Sequence, residues 1–341
     1  MWESRHTDSL PGAGMDLHPS VSVVVPVLNG RDKILRCLES LTKSEYPLSE
    51  IIVVDNGSTD GTIEAIQLRF PDVRLICNGK NLFLAEARNI GIRNSVGEFI
   101  FLIDYDNIVV PSTVTCLVEV MSQDASIGIV GPIAYYLADP SRIWSAGVRV
   151  NLMTSKNTDL ASRQLDRGQF QEVIEVDYFP NAFMVRRSMV SQIGLFDGIR
   201  YPQAGHEPDF GFRAQRGGYR VVLAPKAKVY HDTLPPSAGL SGWLHDLHFA
   251  GARGTGNIKT YCNGRTRVLF MQQYARRKFW IFLLFFYPAF VVFYVALTLL
   301  NRRPDLTLIY LRGSWDGIAT VITGKSVPQL PDWLFEQSDQ R

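Results

Sequence analysis

At 341 residues the chain has material for one large domain or two around a sizeable core. Its net charge of +2 gives no basis for a nucleic-acid partner, and its four cysteines, Cys37, Cys77, Cys116 and Cys262, lie far apart without a Cys-x-x-Cys pair. That spacing excludes a clustered zinc site and reads as reduced core thiols.

Residues 1–20 mix Gly, Pro, Ser, Asp and His without periodicity and are expected to form a disordered tail, with no apolar signal region. From Val21 short apolar runs alternate with amphipathic ones, the pattern of an α/β fold with a mixed, mainly parallel sheet flanked by helices. Val21 to Val27 reads as the first strand, and Ile34, Leu35, Leu38 and Leu41 then fall at helical spacing. Ile51 to Val54 is the second strand. A helix starting at Ser58 or Asp60 runs toward Phe70, Val73 to Cys77 is the third strand, and a helix from about Leu84 to Asn94 precedes a strand from Phe99 to Ile103. Four strand-helix units are thus expected before the acidic pair Asp104 and Asp106.

That pair is the most informative feature of the chain. A buried strand delivers its carboxyl end to a crevice, and side chains two apart on a strand point the same way. Asp104 and Asp106 are therefore expected to converge on one cation, or on a ribose and a cation. Magnesium or manganese takes one or two carboxylates and completes its shell with water and phosphate, so the pair suits a metal holding a nucleotide diphosphate. The plain alternative is two solvated acids at a strand end.

Beyond Pro111 the order becomes mixed. A helix to Ser122, a strand from Ile127 to Tyr136, a loop or hairpin over Ser155 to Gln171, a strand from Tyr178 to Arg186 and a short helix from Ser188 to Ile193 are expected. A helix from Asp209 to Gln215 follows Gly205-His206-Glu207-Pro208, and Val221 to Tyr230 returns as strand.

Five blocks, in order, resemble family 2 glycosyltransferases, in particular a rhamnosyltransferase-like subgroup. They are Val21 to Asn29, Val53 to Thr62, Ala87 to Gly91, Gly194 to Asp197 and His206 to Arg213, and the match covers roughly residues 21 to 232. The resemblance implies a GT-A, Rossmann-like fold that transfers a sugar from a nucleotide-diphosphate sugar donor with inversion, aided by a divalent metal, Mn or Mg. It divides residues 21–235 into a nucleotide-sugar-binding half, 21–107, and an acceptor half, 108–235.

Onto that pattern Pro26 and Asn29 are carried over as lining the base and ribose pocket, largely through backbone. Asp55, ending a buried strand, can accept a hydrogen bond from a pyrimidine imide or a ribose hydroxyl, its plain role being turn chemistry. Asp104 is assigned to the donor and Asp106 to the metal. Glu207 occupies the place of the second acid of the family's Glu-Asp and is assigned as the general base. Asp209 is the alternative base, its plain role being a helix cap or an ion pair with Arg213. His231 resembles a histidine that approaches the metal or diphosphate. Arg88 fits a structural pair as well as a phosphate contact and stays outside the catalytic set. Two departures stand out: His206 replaces the family's usual Glu, and Phe83 replaces a common Gly.

Phe279 to Leu300 holds 22 residues without a charge, enough at ~1.5 Å per residue for a helix of roughly 33 Å. Residues 279–300 are expected to form a transmembrane helix. The segment before it, 236–278, reads as a basic juxtamembrane stretch; from Arg253 to Lys278 it has seven Lys or Arg and no acid, favouring a cytoplasmic catalytic side. Residues 301–341 form a tail with an interfacial or second membrane helix. Membrane attachment points to a lipid-linked glycan or glycolipid acceptor. The alternatives are a processive polysaccharide synthase, whose Gln-x-x-Arg-Trp is nearly met by Gln273 to Arg277, and a catalytically silent membrane protein that binds a nucleotide sugar or glycan.

Overall fold

The computed structural model describes residues 18–235, 256–331 and 333–336. In chain order its elements are β1 (Val21–Val27), α1 (Arg31–Leu41), β2 (Glu50–Asp55), α2 (Thr62–Arg69), β3 (Arg74–Cys77), α3 (Phe83–Asn94), β4 (Phe99–Ile103), β5 (Asn107–Val109) and α4 (Thr113–Gln123). There follow β6 (Ile127–Tyr136), β7 (Asp139–Ser145), β8 (Val148–Asn151), β9 (Lys156–Asp159), β10 (Ile174–Glu175), β11 (Ala182–Arg186), α5 (Arg187–Ile193), α6 (His206–Arg216) and β12 (Arg220–His231). The C-terminal part holds α7 (Asn257–Tyr274), α8 (Lys278–Leu300), α9 (Pro304–Thr323) and α10 (Trp333–Glu336).

The apolar runs that read as strands form one ten-stranded sheet, whose path runs β10-β12-β6-β11-β4-β1-β2-β3. β3, β2, β1 and β4 are mutually parallel, while β11 enters antiparallel between β4 and β6. β1 and β4 are fully buried along their length, as strands covered on both faces must be. Because β2 lies on one side of β1 and β4 on the other, the chain reverses direction of winding between β1 and β4. The crevice beyond their carboxyl ends is where open α/β sheets bind ligands. Two apolar layers, one on each sheet face, complete the core.

Several expectations change. Three strand-helix units, not four, precede β4, and Asp104 to Asp106 lie in a turn beyond the strand, so strand alternation does not orient them. α2 begins at Thr62, after Gly61 in the left-handed region (φ 81°), while the Asp60 carboxylate accepts from the Thr62 amide at 3.1 Å. The expected strand over 178–186 is confined to Ala182–Arg186, and the polar stretch from Ser155 supplies only β9, which pairs with β8 from the residues before it. Cys77 is exposed and not a core thiol, whereas Cys37 and Cys262 are buried.

α8 is 23 residues long and contains an 18-residue stretch of mean hydropathy 2.3, long and apolar enough to cross a membrane. It is not apolar on all sides in the same setting. One face carries Phe282, Tyr287, Tyr294 and Leu297 into the protein, while Trp280, Leu284, Phe285, Val292 and Leu300 are exposed. Tyr287 donates to the Gly264 carbonyl at 3.2 Å and Tyr294 stacks on Tyr310 at 3.9 Å, so α8 packs back along α7 and α9 as a three-helix bundle. A π-helical turn, Phe282–Phe286, precedes Pro288, whose missing N–H interrupts the helical ladder. The expected juxtamembrane segment is in part α7, and residues 236–255 of it lie outside the described residues, as does the tail up to residue 17.

Candidate active site

A cavity of about 800 Å³ opens at the β1/β4 crevice, lined by Pro26 near the end of β1 and Leu28 just after it, Asp104 to Asp106 after β4, Glu207 at the start of α6, His231 at the end of β12, and one face of α7. Each side chain is there for a local reason. Gly205, at φ 87°, sits in the left-handed region and lets α6 begin at once with His206, so Glu207 falls in the first helical turn and not in a loop before it. Pro208 is tolerated there because first-turn amides have no partner within the helix. Gly30, at the start of α1, has no side chain because the Tyr105 ring covers it; an added Cβ would lie 2.2 Å from a ring carbon.

Arg88 is the electrostatic centre of the site. It is fully buried in α3, donates through Nη2 to Asp104 at 2.7 Å and through Nη1 to Glu207 at 3.0 Å, and places Nη1 2.9 Å from His206 Nε2. Burial alone would raise the Glu207 carboxyl; His206, 3.2 Å away, and Arg88 outweigh it and hold Glu207 well below the usual carboxylate range. Asp104 behaves oppositely. Burial raises it, with Asp106 and Glu207 adding to the rise and Arg88 opposing it. Sequence reasoning left Arg88 outside the site; only the fold shows that one guanidinium joins Asp104, just beyond the next strand, to Glu207, 119 residues away.

The two acids of the pair therefore part company. Asp104 turns to Arg88, whereas Asp106 meets His231, Oδ2 to Nε2 at 3.3 Å, and is steadied by Asn107 Nδ2 at 3.2 Å from its Oδ1. Trp144 packs against the His231 ring at 4.4 Å, and His231 Nδ1 is buried without a partner among the described residues. No group of three metal-ligating side chains exists among the described residues. Asp106 and His231 nevertheless fit a divalent ion of the kind that takes one or two protein ligands and fills its remaining positions with phosphate oxygens and water.

Other assigned residues sit differently. Pro26 lines the cavity, but Asn29 does not; its Oδ1 accepts from the Thr59 amide at 2.8 Å and its amide donates to Ser58 Oγ at 2.9 Å. Asp55 is fully buried, its Oδ2 accepting from the amides of Gly57 and Ser58 at 2.9 and 3.0 Å. Its Oδ1 is buried without a partner among the described residues, and Asp55, like Asn29, is not among the residues lining the cavity. Asp209 faces away from the cavity and is fully buried. It accepts from Arg213 Nε at 2.9 Å, Gln273 Nε2 at 3.1 Å and Tyr274 Oη at 2.7 Å, which ties α6 to the end of α7. Phe83 lines the cavity with φ 67°, a left-handed conformation that Gly adopts without strain. Trp144, Lys259, Asn263 and Arg267 are cavity residues that sequence reasoning missed.

Known proteins share parts of this arrangement. Glycosyltransferase GlyG of Streptococcus pneumoniae serotype 4 is 35% identical over 125 residues, 36% of this chain and 40% of that one. The N-acetylglucosaminyl-diphospho-decaprenol L-rhamnosyltransferase of Mycobacterium tuberculosis is 27% identical over 240 residues, 63% of this chain and 76% of that one. The chain spans 40%, 31% and 31% of the first three curated relatives. In fold it is similar to mannosyltransferase PcManGT from Pyrobaculum calidifontis, solved with GDP-Man and Mn2+, at a TM-score of 0.50 and 18% identity over 89% of this chain and 88% of that one. GalNAc-T7, solved with UDP, GalNAc and Mn2+, gives 0.53 and 18% over 74% of this chain and 51% of that one. Residues 22–194, just over half the sequence, match the family model described as Glycosyl transferase family 2, and the chain belongs to that family.

Proposed function

We propose that the protein transfers one hexosyl or deoxyhexosyl unit from a nucleotide-diphosphate sugar to a hydroxyl of a membrane-held glycan or glycolipid, with inversion at the anomeric carbon. The observation that carries the reading is the placement of Asp106 with His231 and of Glu207 around one cavity at the β1/β4 crevice, within a family 2 chain. The rhamnosyltransferase relative supports a deoxyhexosyl donor and a lipid diphosphate acceptor, and the exposed apolar face of α8 supports membrane contact. We read residues 21–235 as the catalytic domain and α8 as the membrane element, with the catalytic side cytoplasmic.

Asp106 and His231 would hold the divalent ion, which when bound neutralises charge on the diphosphate leaving group. Pro26, Leu28 and Tyr105 shape the donor end, and Asp55 shapes the turn after β2 through the amides of Gly57 and Ser58. Glu207 takes the proton of the acceptor hydroxyl as that oxygen bonds to the anomeric carbon. The bond from that carbon to the phosphate oxygen breaks, and its electron pair leaves with the diphosphate. Arg88 keeps Glu207 ionised and aimed, and Asp104, on the same guanidinium, couples its position to the donor side. Asp209 is the weaker base candidate because its carboxylate is consumed by three donors behind α6. The processive reading draws less support, since Gln273 binds Asp209 and Arg200 instead of facing the cavity.

The test is transfer from a panel of labelled nucleotide sugars to lipid-extracted acceptors by the full chain, with and without Mn2+ or Mg2+, beside Asp106→Ala and Glu207→Gln. One sugar added with an inverted anomeric signal, lost in both variants, supports the reading. A ladder of products returns the processive synthase, and donor binding without transfer or hydrolysis returns the binding protein.

A further inference from the structure

The α7 wall of the cavity carries Lys259, Asn263, Thr266 and Arg267, spaced i, i+4, i+7 and i+8 so that they share one face, and no acid occurs between Arg253 and Lys278. Across the cavity every acid is already engaged: Asp104 and Glu207 by Arg88, Asp106 by His231. A donor diphosphate with its metal belongs at Asp106, which leaves the two cavity-lining cations of α7, Lys259 and Arg267, without an anion among the described residues. Arg267 donates to the Ser155 carbonyl at 2.7 Å and to its hydroxyl at 3.2 Å, and lays its guanidinium 4.4 Å from the ring of Phe290 on α8. It therefore stands where the polar cavity meets the apolar helix. From Phe290 the exposed Phe293 continues the same face, and Leu284 and Phe285 are also exposed.

We propose that Lys259 and Arg267 form an acceptor subsite for the phosphate or diphosphate ester of a lipid whose hydrocarbon runs along the exposed face of α8. The proposal rests on the glycosyl-transfer reading and assigns the residues that hold its acceptor's phosphate. Tyr178 and Glu207 line the same cavity as Arg267. A phosphate on Arg267 therefore leaves the sugar it carries in the cavity that Glu207 also lines. A cavity of about 800 Å³ has room for both substrates.

The test uses the full chain in uncharged detergent with a chelator present, so that no metal recruits diphosphate to Asp106, and measures binding of farnesyl diphosphate, farnesol and inorganic pyrophosphate. Farnesyl diphosphate is expected to bind more tightly than either fragment. Its affinity is expected to fall about 10- to 100-fold in Arg267→Gln and in Lys259→Gln, the range for losing a charge-assisted hydrogen bond, and to persist in Asp106→Asn. Lys259 is exposed, so its variant keeps the readout valid if Arg267→Gln misfolds. Equal binding of farnesol, which assigns the contact to a hydrocarbon surface alone, overturns the proposal. So does equal binding of pyrophosphate, or loss in Asp106→Asn with retention in both α7 variants. Donor hydrolysis without acceptor, measured in parallel, separates the outcomes: if it persists while farnesyl diphosphate fails to bind, the subsite is wrong and the transferase reading stands.

Discussion

Arg88 donates to Glu207 at 3.0 Å from a position with no solvent exposure, so the assigned base is held by a charge that water cannot replace. The same guanidinium holds Asp104 at 2.7 Å. Removing the cation would leave two carboxylates facing each other in a buried site. Arg88→Met is expected to cost about 3–5 kcal/mol of stability, as breaking a buried pair does, and to abolish transfer. Chemical denaturation of the variant beside Arg88→Lys checks this; a loss below about 1 kcal/mol in both would show that the pairing is not structural.

Glu207→Gln keeps shape and hydrogen bonding but removes the proton acceptor. It is expected to lower kcat about 10²- to 10⁴-fold with donor affinity little changed. Asp209→Asn, two residues on, is expected to behave in the opposite way. It disturbs the bonds from Arg213, Gln273 and Tyr274, lowering thermal stability by about 1–3 kcal/mol while kcat of the folded protein stays within about tenfold. Measuring kcat and Tm for both variants separates base from brace, and a larger kcat loss in Asp209→Asn would exchange the two roles.

The pH dependence of stability follows from Glu207. A free glutamate titrates near about 4.3, whereas folded Glu207 lies well below because His206 and Arg88 outweigh the effect of burial. Below about pH 4.3 the unfolded chain binds a proton that the folded chain refuses, so stability falls as pH falls through that window toward the folded value. Above it the contribution is fully present. Urea titrations from pH 6 to pH 3 are expected to show a shallower acid decline for Glu207→Gln than for the native chain.

Much of the fold was legible in the residues. β4 and β6 run as predicted from Phe99 to Ile103 and from Ile127 to Tyr136, because continuous apolar runs buried on both faces have no other stable arrangement. The start of α6 was not, because Pro208 reads as a breaker, yet it costs little in a first turn. Nor did Asp104 and Asp106 show their divergence, which Arg88 and His231 impose from remote elements. α7 gave little periodicity because it is enclosed on several sides, by the catalytic core, α8 and α9, and its cations read as a surface stretch.

On the proposed reading Asp106 and His231 share the divalent ion, but unequally. Asp106→Asn removes the only charge of the pair and is expected to raise the metal concentration for half-maximal activity by at least about tenfold. His231→Gln removes one neutral donor and loosens Trp144, with a smaller shift in the same direction. Metal titrations of activity at saturating donor test the order. An effect of His231→Gln on kcat alone, with the metal curve unmoved, would give the histidine a role in chemistry instead.

A Cβ on Gly313 of α9 would lie 2.2 Å from the Tyr261 carbonyl oxygen of α7, and one on Gly264 would lie 2.6 Å from the Tyr310 carbonyl oxygen. These backbones touch without side chains between them, so neither helix can accommodate a methyl group by rotating a side chain. Gly313→Ala must push α7 away from α9, and α7 carries Lys259 and Asn263 on its cavity face. Overpacking of this kind costs about 1–3 kcal/mol. The displacement should also raise the acceptor KM while donor hydrolysis, which depends on the β1/β4 crevice, keeps its rate. If Gly313→Ala instead lowers both rates together, α7 braces the whole domain and does not act on the acceptor wall alone.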